Sequence, residues 1–140
     1  MFSYLKRLFG RTEPESAAIG RRGEREAEKI LKTKGYQILA RNWRSGRDEI
    51  DLICLQGKAV VFVEVRTRSA GALVSGYDSI NRRKREALKR VCRSYFSIMK
   101  PKPLTLRFDV VEVEHEEGAI TTARHFSDVP LFSKSANRGS

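Results

Sequence analysis

Apolar residues change their spacing several times along this 140-residue chain, and each change marks an element. Ile19, Gly23, Ala27, Ile30 and Leu31 recur at helical spacing. Ser16 stands where a cap belongs and Gly35 where a helix stops, so the pattern predicts a helix over residues 17–34. Tyr36 to Trp43 predicts a strand, followed by a turn at Arg44-Ser45-Gly46-Arg47. From Arg47 to Arg68 two apolar runs flank Gln56-Gly57-Lys58 and predict a β-hairpin. Ile80, Ala87, Leu88, Val91, Cys92, Tyr95 and Met99 trace one face of a second helix over residues 79–99, which Pro101 and Pro103 end. Leu104 to Val113 alternates as a strand, with Leu104, Leu106, Phe108 and Val110 on one side. A turn at Glu116-Glu117-Gly118 leads to a last strand over residues 119–126. The order αβββαββ predicts an α/β fold, a mixed central β-sheet flanked by helices, in one domain over residues 17–126. Residues 1–16 predict a flexible basic arm, residues 127–140 a loose tail, and Ser69 to Tyr77 a mobile loop near the hairpin.

The hairpin sets carboxylates where strands want Val, Ile and Phe: Asp51 lies between Ile50 and Leu52, and Glu64 between Val63 and Val65. If Gln56 and Gly57 form a two-residue loop, Leu55 faces Lys58, Asp51 faces Phe62 and Glu49 faces Glu64. One face then carries Ile50, Leu52, Cys54, Val61, Val63 and Val65. The other carries Asp51, Phe62, Glu64 and Arg66, with Glu49 at its edge. Asp51 and Glu64 become diagonal neighbours, roughly 7–8 Å apart at Cα, close enough to share a cation. Two like charges so placed destabilise a hairpin unless a metal or a basic partner offsets them. Their hard oxygens suit Mg2+ or Mn2+. The plain alternative is a pair of ion-paired acids on a solvated face.

Two further residues break their local pattern. Glu24 borders the apolar stripe of the first helix, either as an acid paired with an arginine or as a third carboxylate aimed at the sheet. Lys84 falls on the apolar stripe of the second helix, where a lysine belongs only if it reaches a partner or snorkels out. By contrast Asp109 shares a face with Arg107, and a salt bridge between them accounts for it.

Net charge changes the picture more than any other bulk property. A value of +11 implies a polyanionic partner such as nucleic acid, or an anionic membrane surface. Arg41, Arg44 and Arg47 beside Trp43, and Arg82, Arg83 and Arg85 around Lys84, are the candidate nucleic-acid contacts. Cys54 and Cys92 both fall on apolar stripes and read as reduced core residues of a cytoplasmic protein. With His115 and His125 they form no zinc-like spacing. The opening MFSYLKRLFG is too short and too charged for a signal peptide or a transmembrane segment. A third reading gives Met1 to Arg11 a role at a membrane surface or in protein contact.

The segments GRRGEREAEKILKTKGYQILARNWR, DEIDLI, VVFVEVRTR, RRKREALKRV and LRFDVV together resemble the YraN family of bacterial proteins, over roughly residues 17 to 126. That family looks like a branch of the PD-(D/E)XK nuclease superfamily, similar to archaeal Holliday-junction resolvases. The resemblance implies a restriction-endonuclease-like core. In it an acid on the first helix, an Asp on one strand and a Glu-x-Lys on the next surround a metal, and Glu24, Asp51, Glu64 and Arg66 occupy those positions. Two departures stand out. The family's Gly-Glu-Ile-Asp reads Asp48-Glu49-Ile50-Asp51, and the lysine of Glu-x-Lys is Arg66, a side chain that stays protonated and cannot serve as a base. Lys84 is then the candidate to take over the lysine's role.

The expected activity is metal-dependent hydrolysis of DNA phosphodiester bonds, at branches or ends by resemblance alone. Asp51, Glu64 and Glu24 would hold Mg2+ or Mn2+, with the Val65 carbonyl as a further ligand. Arg66 or Lys84 would steady the phosphate. Resolvase-like enzymes often act as symmetric homodimers, an arrangement the resemblance allows. The alternative is a non-catalytic nucleic-acid-binding module on the same fold, for which Arg66 is the argument.

Overall fold

The computed structural model describes residues 14–71 and 80–132. Most of the expected N-terminal arm, most of the Ser69–Tyr77 loop, the start of the second predicted helix and the end of the C-terminal tail lie outside the described residues. The elements follow the expected order: helix α1 (Glu15–Thr33), strands β1 (Gln37–Ser45), β2 (Asp48–Gln56) and β3 (Ala59–Ser69), helix α2 (Arg82–Ile98), and strands β4 (Thr105–Glu116) and β5 (Ala119–Phe126). The strands form one sheet in the order β1-β2-β3-β4-β5. Every neighbouring pair is antiparallel except β3 and β4, which run parallel. A parallel pair needs a long crossover, and α2 lies within it.

The helices cover the sheet from both sides, which accounts for the sequence of β3. On one side Ala27 and Leu31 of α1 meet Leu52, Cys54, Val61, Val63, Val111 and Val113. On the other, Leu88, Val91 and Cys92 of α2 meet Ile53, Val60, Phe62, Phe108 and Val110. A strand buried on both faces reads as a continuous apolar run, as Val60-Val61-Phe62-Val63 does. The acid-bearing face is therefore itself core. Phe62 on it is wholly buried, which contributes ~1.5–3 kcal/mol relative to exposure.

Several local expectations are corrected. The hairpin loop is Gly57-Lys58, not Gln56-Gly57: Gln56 pairs with Ala59 and Leu52 with Val63. Gly57 takes φ +57°, which a two-residue loop of this kind favours. This shift moves each partner by two residues and so does not by itself change a side chain's face; Ile50, expected beside Leu52 and Cys54, nevertheless lies on the other face. The β1–β2 loop is shorter than expected, since Ser45 already pairs with Asp48. Ser16 lies inside α1 and caps nothing, because the helix begins at Glu15 behind Pro14. Helix α2 begins at Arg82, where the Asn81 side chain accepts a bond from the Lys84 N–H at 2.9 Å. Leu104, expected to face inward, is exposed. Residues 127–132, expected in the tail, lie against the core: Val129 N–H donates to the Phe108 carbonyl at 2.7 Å, and Leu131 is buried.

One irregularity positions the acids. Ile50 packs on the α2 side with Ile53, whereas Leu52 and Cys54 face α1, so the alternation of β2 breaks at Asp51. The pairs Arg41–Leu52 and Trp43–Ile50 set Asn42 opposite it, and Asn42 takes φ +46°, a left-handed conformation that asparagine tolerates better than most residues.

Candidate active site

Asp51 and Glu64 converge, as the sequence predicted, though by a different register. The β2–β3 ladder runs to Leu52–Val63, and Asp51 and Glu64 are the next residues on the two strands, where the expected register had set them as diagonal neighbours. Glu64 is buried on the sheet. The backbone N–H of Val65 donates to Asp51 Oδ2 at 2.7 Å. This contact is made by the Val65 N–H, a group separate from the carbonyl expected as a further metal ligand.

Burial drives the Asp51 carboxyl far above the usual carboxylate range. The negative charge of Glu64 and a hydrogen bond with it add to this, the Val65 N–H pulls the other way, and the charge of Glu24 adds a further push. A half-buried and a buried carboxylate in contact cannot both ionise freely, so without a bound metal ion Asp51 keeps its proton. Glu24, on α1, thus stands near enough to act on Asp51. The Asn42 amide donates to Glu24 Oε2 and to Glu49 Oε1, both at 3.3 Å, and so ties the helix acid to the sheet. Sequence reasoning missed Asn42, because one polar residue in an edge strand carries no signal.

Two cations attend the pair. Lys84 Nζ lies 3.2 Å from Glu64 Oε2, so the lysine that broke the α2 stripe does reach a partner. Arg66 Nη1 lies 3.9 Å from the same oxygen. Asp51 and Glu64 offer convergent hard oxygens, a donor set that fits Mg2+ or Mn2+, which take one or two carboxylates and complete their shell with water and phosphate oxygens. Among the described residues no three His, Cys, Asp or Glu side chains gather tightly enough to hold an ion by themselves.

The predicted nucleic-acid arginines separate into two groups. Arg41 is bound to Glu28 of α1 through both ends of its guanidinium, and Arg44 Nε lies 3.0 Å from Glu49 Oε2. Arg47, Arg82 and Arg83 instead line one cleft with Arg90, next to the site, while the exposed Arg85 does not line it.

A second buried cluster lies elsewhere in the sheet. The Arg107–Asp109 salt bridge expected from sequence forms at 3.0 Å. Asp109 also receives Tyr36 Oη at 2.9 Å, His125 Nε2 at 2.8 Å and the Asp128 N–H at 2.9 Å. With its partners close and in order, this cluster is a structural tie.

Comparison with known proteins gives a consistent result. Residues 23–113 match the model of a family described as "Uncharacterised protein family UPF0102", a span that includes Glu24, Asp51, Glu64, Arg66 and Lys84. A UPF0102 protein of Nitratidesulfovibrio vulgaris (strain DP4) is 41% identical over 111 residues, covering 79% of this chain and 82% of the relative. One from Caldicellulosiruptor saccharolyticus is 44% identical over 97 residues, 68% of this chain and 80% of the relative. One from Porphyromonas gingivalis is 36% identical over 121 residues, 85% of this chain and 89% of the relative.

Proposed function

This chain belongs to the UPF0102 family, and on that premise we propose that it is a metal-dependent deoxyribonuclease that hydrolyses phosphodiester bonds at the Asp51–Glu64 pair. The observation that carries the reading is the convergence of two carboxylates on neighbouring strands, one of them buried, with a lysine from a separate helix bonded to the buried one. Here the acids are pressed together, at a cost that a divalent cation removes.

Asp51 and Glu64 would hold Mg2+ or Mn2+, with Glu24 behind them through water. Such an ion lowers the pKa of bound water and offsets charge growing on the phosphate. The chain's own contribution is positional. The Val65 N–H fixes one Asp51 oxygen, Asn42 fixes Glu24, and Lys84 and Arg66 present positive charge where a phosphate would lie. Arg66 cannot accept a proton, so its part is to hold phosphate by its fork of donors. By resemblance the substrates are branched or broken DNA, as met in recombination and repair.

The test is cleavage of labelled linear, single-stranded, flapped and four-way-junction DNA with Mg2+, Mn2+ or EDTA. Metal-dependent cutting that falls by more than about 100-fold in Asp51→Asn and in Glu64→Gln is the expected result. Undiminished cutting in either variant would sink the assignment. Arg66 in place of the superfamily's lysine favours a second reading, a nucleic-acid-binding module without catalysis. Its signature is tight, salt-dependent DNA binding with no cutting under any metal.

A further inference from the structure

Next to the acid pair lies a cleft of about 610 Å3, formed by Arg47 and Asp48 of the β1–β2 turn region and by Arg82, Arg83, Glu86, Ala87 and Arg90 of α2. Its two acids are already occupied. Arg90 grips both oxygens of Asp48, Nε to Oδ2 at 3.0 Å and Nη2 to Oδ1 at 3.1 Å, and Lys89 Nζ lies 3.2 Å from Glu86 Oε1. Arg47, Arg82 and Arg83 have no carboxylate within ion-pair distance among the described residues, and all three are exposed. Three guanidiniums that meet no carboxylate among the described residues, one from a turn and two from a helix, thus share one concavity. Each presents the planar fork of donors that matches a phosphate.

Lys84 links the cleft to the acid pair. Lys84, in the first turn of α2, bonds Glu64, and its charge also acts on Asp48 in the cleft wall. We infer that the cleft binds a non-reacting phosphate of the same polynucleotide whose scissile phosphate sits at Asp51 and Glu64. The substrate is then a chain of phosphates, and an isolated phosphodiester gets only half of the recognition. A nucleic-acid strand carries a charge every ~3.4 Å of its axis, so a strand seated at one site necessarily brings further phosphates within reach of the other. This inference rests on the proposed cleavage at the acid pair for the identity of the first phosphate. The anion-binding cleft itself does not.

The experiment separates the two. Binding of a labelled oligonucleotide to the full chain is followed by fluorescence anisotropy across a salt series, without added metal. Wild type, Arg47→Ser, the Arg82→Ser/Arg83→Ser double variant and Asp51→Asn are compared. A second double variant, Arg85→Ser/Arg93→Ser, removes two exposed arginines of the same helix outside the cleft. Each cleft arginine removed should lower the slope of log K against log salt by roughly 0.7–0.9, with Asp51→Asn and the Arg85/Arg93 variant holding the wild-type slope. An unchanged slope in the cleft variants, or an equal loss in the Arg85/Arg93 variant, would overturn the cleft. In a second arm, the same variants hydrolyse either the oligonucleotide or bis(p-nitrophenyl) phosphate, a diester with one phosphate. The cleft variants should raise KM for the oligonucleotide and leave the small diester's rate unchanged, and equal damage to both would also overturn the inference. A wild type that cuts neither substrate refutes the proposed nuclease, and the anisotropy still decides the cleft.

Discussion

Replacing the Asp51 carboxylate by an amide of the same shape should make the fold more stable, because the native acid is buried against Glu64 and can ionise only at a cost. In metal-free buffer at neutral pH, Asp51→Asn is expected to raise Tm by a few degrees, the size of ~1 kcal/mol in a domain of this length. Mn2+ should raise the Tm of the wild type, since it binds only the folded site, and leave the variant where it was. A lower Tm for Asp51→Asn would mean that the two acids do not oppose each other as described. The acids were legible in the sequence because each stands between apolar strand residues, where local propensity disfavours a carboxylate. Lys84 was legible for the matching reason on a helix. Asn42 was not: its importance lies in a left-handed backbone and in two acids that arrive from other elements, neither of which one strand's pattern contains.

At the scale of elements, the contact that sets α1 on the sheet is Gly23 against Thr67 of β3. A Cβ built on Gly23 would lie 2.4 Å from Thr67 Oγ1, far inside van der Waals contact. Gly23→Ala should therefore push the helix off the strand, costing about 1–3 kcal/mol and moving Glu24, the next residue, away from Asp51. In a Thr67→Ala background the offending oxygen is gone, and the same substitution should cost little; thermal melts of the four proteins complete the cycle. An additive cycle would show that Thr67 is not what holds the helix. Element types and order were readable because each has its own apolar period. The ends were less so. A two-residue loop can shift by one position without altering which face is apolar, so Gly57-Lys58 and Gln56-Gly57 set the same side chains on the same face of β3. A serine near a helix start looks like a cap whether or not the chain turns there, and Pro14 takes the position instead.

Across the whole molecule, Asp109 draws together the segment after α1, strands β4 and β5, and the residues beyond β5. Burial alone would raise its pKa, but His125, Arg107, the Asp128 N–H and Tyr36 more than offset that and lower it from 3.8 to about 2. A folded value below the unfolded one means the carboxylate contributes stability at all pH values above about 4, and loses it as pH falls through 2. Acid unfolding followed by Trp43 fluorescence should steepen in that window. Asp109→Asn should flatten it and cost roughly 3 kcal/mol at neutral pH. An acid limb unaltered by the substitution would place the pH sensitivity elsewhere. The sequence offered only the Arg107 half of this cluster, because the other partners are distant along the chain. Distance along the chain has another consequence, through the parallel pairing of β3 with β4, which joins Ala59 to Thr105 and Ser69 to His115. Strands β1 to β3 can zip up from local turns, while β4 must wait for α2 to be made and to cross over. A ribosome-bound chain that has reached β3 already holds both acids but not Lys84, and shows a bare apolar edge to its surroundings. Synthesis thus passes through a stage in which the chain is most prone to aggregate and least able to tolerate its own carboxylates, and a pause in translation before Thr105 would lengthen it.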